Sequence, residues 1–156
     1  MKHFDDETNA VDAVAHEAIE VAARVVQRVR VWVRDGQTTG LTFTQVRALG
    51  FVSRWPGASL GDAADFLGLG APTTSKVVDE LTQRGLVRRA PAADDRRRLE
   101  LRVTEEGARV LAEARAPADA RMAALLATLG EGEVEAIRRA LELLAPLLDP
   151  REGRDE

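Results

Sequence analysis

The stretch that decides the fold is "LGDAADFLGLGAPTTSKVVDELTQRGLVRRAPAADDRRRLELRVT", residues 60–104. Its first part reads as two short helices joined by a tight turn. Ser59 followed three residues later by Asp62 has the spacing of a capping box, and Leu60, Ala63, Ala64 and Leu67 share one face of the helix it opens. "GLG" then turns the chain. Pro72 tolerates only a first-turn position and Gly85 supplies a stop, so the second helix runs from Ala71 to Arg84. Thr74, Val77, Val78 and Leu81 fall on its inner side, leaving Thr73, Ser75, Lys76, Asp79 and Gln83 outside. After Gly85 the apolar pattern changes from a helical period to strict alternation. Leu99, Leu101 and Val103 alternate with Arg98, Glu100 and Arg102, and Leu86 to Ala90 supplies an antiparallel mate. The "APAADD" between them is a hairpin loop.

Working upstream, Thr42 and Gln45 repeat the capping-box spacing and predict a helix from Phe43 to Arg54, with Val46, Leu49 and Phe51 or Val52 inward; "WPG" closes it. From about Asp6 to Arg34, Val11, Ala18, Val25 and Trp32 recur at every seventh position, with Val14, Val21, Ala22 and Val29 on the same side. An apolar stripe of that length needs a partner. Downstream, Thr104 caps a helix whose first turn carries Glu105 and Glu106, the favourable sign for its positive end. Pro117 predicts a kink or break midway along it. After "GEGE" a last helix places Val134, Ile137, Leu141, Leu144 and Leu148 on one face, with Pro146 distorting its last turn. The expected fold is mainly α with a small β-hairpin wing: a winged helix-turn-helix over 36–104, a helical dimerisation region from 1–35 and 105–150, and a disordered tail at 151–156.

Composition restricts the chemistry. The chain has a formal net charge of −4 and a pI near 5.3, which gives no general attraction to nucleic acid. Residues 87–104 nevertheless hold six arginines against three acids, so any such attraction is local. The absence of cysteine removes disulfides, thiolate zinc sites and thiol-based redox sensing. "MKHFDDETNA" lacks the basic start and apolar core of a signal peptide, and no run of 18 apolar residues exists, so a cytoplasmic location is expected. His16 and Glu20 lie four apart on one helix face, but two histidines leave few metal ligands, and no metal or cofactor is expected. No serine, histidine and aspartate constellation is readable, which argues against an enzyme. Trp32, Trp55 and Phe51 are read as core, with lining of a ligand cleft the alternative.

The two short helices and basic hairpin form a device for reading duplex DNA, the second helix entering the major groove and the hairpin reaching the backbone or minor groove. At the start of the second helix, Ala71 and Pro72 open a first turn whose free amides and dipole hold phosphate, while Thr73, Ser75 and Lys76 offer side-chain contacts to bases or phosphates. Lys76 is one of only two lysines. In the wing, Arg96, Arg97 and Arg98 alternate in direction, so at most two point the same way. Asp95 is suited to hold the Arg97 guanidinium in place and so reduce the rotamer freedom lost on binding.

"LTFTQVRAL", "LGDAADFLGLGAPTTSKVVDELTQRGLVRR" and "DDRRRLELRVTEEG", in this order and spacing, resemble the MarR family of bacterial transcriptional regulators. Leu81, Gly85, Leu86 and Val87, then Asp95, Arg97, Thr104 and Gly107, carry the likeness best. The resemblance implies a homodimer joined by its terminal helices, with Val11, Val14, Ala18, Val25, Leu141, Leu144 and Leu148 on the joining faces. It implies that the Ala71 to Arg84 helix reads DNA, that Asp95 and Arg97 take the family's wing roles, and that a small aromatic or anionic effector binding between the two modules releases DNA. Departures are Gly70 at a cap position where Ser or Asn is common, the acids Asp79 and Glu80 on the recognition helix, and Pro117. The expectation is a homodimeric, sequence-specific DNA-binding regulator, a repressor rather than an activator, acting on a pseudo-palindromic operator. The competing reading is a winged-helix interaction module whose acidic surroundings bind another regulator and leave DNA alone.

Overall fold

The structure, a computed structural model, describes residues 2–36, 38–92 and 99–149, with side chains from residue 10 onward. The elements run α1 (Lys2–Asp35), α2 (Phe43–Arg54), α3 (Leu60–Leu67), α4 (Ala71–Gln83), β1 (Val87–Pro91), β2 (Leu99–Val103), α5 (Glu105–Leu126) and α6 (Glu131–Leu147). Both capping boxes form: the Thr42 hydroxyl accepts from the Gln45 amide and the Gln45 side chain from the Thr42 amide, and Ser59 and Asp62 do the same for α3. Thr104 caps α5 by accepting from the Gly107 amide at 2.9 Å, and its hydroxyl also donates to the Gly85 carbonyl at 2.7 Å. One threonine therefore joins the start of α5 to the end of α4.

Helix α2 is the centre of the core. Ala48, Leu49 and Val52 are wholly enclosed and Phe51 nearly so, because α3, α4, α5 and β2 pack around the helix on several sides. Phe51 and Val52 are thus both inward, where the sequence pattern left them as alternatives. The Phe51 ring lies 4.9 Å from that of Trp55 and 4.8 Å from that of Phe66. Trp32 is buried at the junction of α1 with this core.

The hairpin pairs antiparallel, Val87 with Val103 through Pro91 with Leu99. Its alternation departs from expectation at one end: Glu100 is buried and Leu99 half exposed. The cause is a further backbone ladder on the free edge of β2, where the Gly57 amide donates to the Leu101 carbonyl at 3.0 Å and the Leu101 amide to the Ala58 carbonyl at 2.8 Å. The Glu100 carboxylate sits over Gly57, which has no side chain to exclude it, and pairs with Arg102 at 2.9 Å.

Two glycines fix the geometry of this module. Gly85 has φ +71°, a conformation that ends α4 and allows the Leu86 amide to reach back to the Leu81 carbonyl at 2.9 Å. Gly107 lies against the chain entering β1, where a Cβ would stand 2.0 Å from the Leu86 carbonyl oxygen.

Pro117 neither ends nor splits α5, which continues as one helix from Glu105 to Leu126, so of the kink or break expected from sequence the break does not occur. Its ring packs on Gly36 at the end of α1, where an added Cβ would come within 2.4 Å of the proline Cγ. That contact offsets part of the cost of the lost hydrogen bond. Pro146 lies in the last turn of α6, which ends one residue later.

The outer helices are thinly covered. Helix α6 buries none of its residues, and from Ala10 to Arg28 every residue of α1 is exposed. No helix among the described residues is long and apolar enough to cross a membrane.

Candidate nucleic-acid interface and adjoining cleft

The first turn of α4 stands clear of the core. Ala71, Pro72, Thr73 and Lys76 are exposed and Ser75 is half-buried. Gly70 caps the helix without a side chain, while the buried Thr74 turns its hydroxyl to the Gly70 carbonyl at 3.2 Å. The Ala71 and Thr73 amides precede the first possible intrahelical acceptor, so this end offers N–H groups and the positive end of the dipole to an anion.

Both acids that seemed unsuited to such a surface are engaged. Asp79 pairs with Arg89 of β1 at 2.7 Å and accepts a longer bond from the Ser75 hydroxyl at 3.4 Å. Glu80 accepts from the Gln45 side-chain amide of α2 at 2.8 Å. At the other end of α4, Arg84 donates to the carbonyls of Thr39 and Gly40 at 2.7 and 3.4 Å, tying the helix to the α1–α2 connection. Arg88 and Arg102 face each other across the hairpin, with Arg102 compensated by Glu100. Asp95, Arg96, Arg97 and Arg98 lie outside the described residues. Arg88 and Arg89 were not singled out by sequence reasoning, although the charge excess of residues 87–104 includes them.

A cleft of about 310 Å³ opens between α1, α2 and α5. Its walls include Val25, Val29, Phe43, Val46 and Met122, with Arg47, Arg115 and Asp119 as its charged groups. Arg115 lies across Gly50 of α2 and makes no hydrogen bond or ion pair among the described residues. Neither Phe51 nor Trp55 lines this cleft; with Phe66 they form an aromatic cluster in and beside the core. The cleft residues were missed because they come from three helices whose inward positions look alike in one dimension.

Val11, Val14, Ala18 and Val25 of α1 are exposed, as are Leu141, Leu144 and Leu148 in and just after α6. His16 and Glu20 are exposed too, and among the described residues no three histidine, cysteine or acidic side chains gather as a metal site. At the base of the wing, hydrogen bonds from Arg109 hold the Glu106 carboxyl below its usual range, against an opposing effect of desolvation.

A helix-turn-helix followed by an antiparallel hairpin, with helices at both chain ends, defines a winged helix-turn-helix protein. Residues 39–98 match the MarR family. The chain is 35% identical over 78 residues to an uncharacterized HTH-type transcriptional regulator of Mycobacterium bovis, a match covering 50% of this chain and 54% of the relative. It therefore spans about half the length of the curated relatives it matches. Among solved structures, CouR from Rhodococcus jostii RHA1 bound to p-coumaroyl-CoA is 27% identical, covering 86% of this chain and 93% of that one with a TM-score of 0.61. A point mutant of S. aureus MepR bound to an oligodeoxyribonucleotide is 22% identical, covering 86% and 97% with a TM-score of 0.55, a likeness of fold. The likeness to the MarR family thus covers the helix-turn-helix and the start of the hairpin, and the curated relatives that share it are named as HTH-type transcriptional regulators.

Proposed function

We propose that the protein is a homodimeric, sequence-specific DNA-binding repressor. The observation that carries this reading is the exposed first turn of α4, with Thr73 and Lys76 outward, Asp79 paired with Arg89 and Glu80 hydrogen-bonded by Gln45. The competing reading, an interaction module that avoids DNA, depends on acidic surroundings, and the Asp79–Arg89 pair offsets one of the acids on this helix. Ala71, Pro72, Thr73, Ser75 and Lys76 contact bases and adjacent phosphates, and Asp95 to Arg98 with Arg88 and Arg89 form the wing contact.

The partner for the terminal helices is a second copy of the chain. Val11 and Val14 are 68% and 66% exposed, and Leu141 and Leu148 are 60% and 75% exposed, on two helices that the monomer leaves largely uncovered. Apolar surface of that extent is the mark of an interface. On this reading residues 1–35 and 105–150 form the dimerisation region and 36–104 the DNA-binding module. One α4 reads only a few base pairs, so two symmetric copies call for a pseudo-palindromic operator with half-sites about one helical turn apart. In keeping with a cytoplasmic regulator, the α1–α2–α5 cleft takes a small aromatic or anionic effector, with Arg47 and Arg115 as the cations at its wall.

The experiment is selection of bound fragments from genomic DNA, followed by titration of the recovered site against salt. If each subunit neutralises about four phosphates, log K against log salt falls with a slope of about −7. A slope near zero, or no fragment retained in dilute buffer, overturns the reading.

A further inference from the structure

A hydrogen bond joins two parts of the chain that lie 94 residues apart in sequence: the indole Nε1 of Trp55, at the end of α2, donates to the Asp149 carboxylate at 3.1 Å. Asp149 lies two residues beyond α6, whose own residues are all exposed, and is itself half-buried. The ion pairs of α6 stay within the helix, Arg138 with Glu135 and Glu142. Among the described residues no hydrogen bond or ion pair runs from α6 itself to the winged module. Helix α6 thus starts at the far end of α5, runs exposed over its whole length, and meets the module again just past its last turn.

Trp55 is fixed on its apolar side. Its ring centre lies 4.9 Å from that of Phe51 in α2 and 5.7 Å from that of Phe66 in α3, and its backbone amide donates to the Phe51 carbonyl at 2.9 Å. The ring therefore rests on both helices that precede α4, and α3 in turn packs on α4. An indole N–H can only donate, and at a half-buried site water accepts from it nearly as well as a side chain does. Folding of the module by itself thus calls for no carboxylate here. A carboxylate adds a charge-assisted, directional link to a helix that the single chain leaves uncovered.

We infer that Asp149 is a positioning residue for DNA binding: through Trp55 it holds the winged module at a fixed place relative to α6, and so sets the distance between the two α4 helices of the dimer. The inference rests on the dimer and DNA-binding readings given above. Leu148 of the proposed dimer face directly precedes Asp149, so the link begins at the interface itself. Two half-sites are engaged together when the separation of the α4 helices matches the operator. A loose connection has to be ordered on binding, which lowers affinity without altering any DNA contact. Selectivity for spacing falls with it, because a loosely held module follows a displaced half-site.

The test uses the full chain and the variants Asp149→Ala, Asp149→Asn, Trp55→Phe and the double variant Trp55→Phe, Asp149→Ala, each checked by thermal unfolding. The chain has two tryptophans, so a nitrogen-15 correlation spectrum shows two indole signals, which Trp55→Phe assigns. In Asp149→Ala the Trp55 signal is expected to move and its exchange with solvent to quicken, with the dimer unchanged in sedimentation. A site recovered from genomic DNA is then titrated in its own spacing and with about one or two base pairs inserted between its half-sites. Asp149→Ala is expected to bind the native spacing about tenfold more weakly and to lose most of the parent's discrimination against longer spacings, while keeping the parent's affinity for an isolated half-site. Asp149→Asn keeps an oxygen acceptor for the indole and restores most of both properties. Trp55→Phe matches Asp149→Ala, and the double variant is no worse than either. Should Trp55→Phe unfold, the two Asp149 variants carry the test alone. An indole signal indifferent to Asp149→Ala, losses equal at every spacing and at the half-site, or single losses that add in the double variant each overturn the inference. A parent that retains no genomic fragment overturns the DNA-binding reading and takes this inference with it, an outcome that the indole spectrum tells apart from absence of the bond.

Discussion

Gln45 and Glu80 are joined by a hydrogen bond of 2.8 Å from the glutamine Nε2, while the Oε1 of the same glutamine accepts from the Thr42 amide. One buried side chain therefore fixes both the start of α2 and the flank of α4. The same turn of α2 presents Phe43, Val46 and Arg47 to the cleft between α1, α2 and α5. In the proposed regulator, a ligand that displaced this turn would act on α4 through Gln45. Replacing Gln45 by Leu removes the side-chain half of the capping box and leaves Glu80 without this donor, at an expected cost of about 1–3 kcal/mol in urea unfolding. In the proposed regulator it also weakens the effect of ligand on DNA affinity more than it weakens ligand binding itself. Equal losses in both would show that Gln45 is structural only.

Gly107→Ala is expected to destabilise the fold by about 1–3 kcal/mol or more, since overpacking here meets backbone and not a flexible side chain. The Cβ would stand 2.0 Å from the Leu86 carbonyl oxygen and 2.9 Å from a Val103 methyl. Thermal unfolding measures it. A variant as stable as the parent would mean that α5 and the wing base separate easily.

Arg89→Ala removes both a cation of the first wing strand and the partner of Asp79. It leaves an unpaired carboxylate on the outer face of the recognition helix. DNA affinity is expected to fall by about 1–3 kcal/mol and the salt slope to become shallower by about one, with little change in stability because the pair is exposed. Asp79→Asn in the Arg89→Ala background restores part of the loss. Gel-shift titration at several salt concentrations reads all three quantities, and failure of the second substitution to restore binding would contradict the role given to the pair.

Substituting Val14 or Leu144 by Glu introduces charge into the proposed dimer face without touching the core, both side chains being exposed in the single chain. Sedimentation is expected to show a monomer with an intact helical spectrum and DNA binding reduced to the level of one isolated half-site. A dimer that persists through both substitutions would place the interface elsewhere.

Acid should loosen the base of the wing gradually. The Glu106 carboxyl is held low by hydrogen bonds from Arg109, and Glu135 of α6 by those from Arg138. A carboxyl whose folded pKa lies below its unfolded value adds stability above the unfolded value and loses it as pH falls through the folded one. Both groups are fully exposed, so the effect is small and screened by salt. Unfolding curves of Glu106→Gln against the parent are expected to differ at neutral pH and to converge in acid. A difference that persists below the usual carboxylate range would reject this cause.

The sequence by itself determined the order and nature of the elements. Capping residues, helix-breaking glycines and hydrophobic period act over three to seven residues, so Thr42, Ser59, Thr104 and Gly85 mark their boundaries wherever the chain goes. It also left the stripe of α1 in need of a partner. Only the tertiary structure decided the rest, because those outcomes depend on residues far apart in the chain. Pro117 continues its helix because Gly36 makes room for its ring, and Glu100 turns inward because Gly57 and Ala58 extend the ladder of β2. Asp79 is charge-compensated and Glu80 turned to a hydrogen bond because Arg89 and Gln45 reach them from other elements. Local rules place each side chain on a face of its own element; what that face meets is set by packing, and it was packing that brought Arg47 and Arg115 to the wall of one cleft.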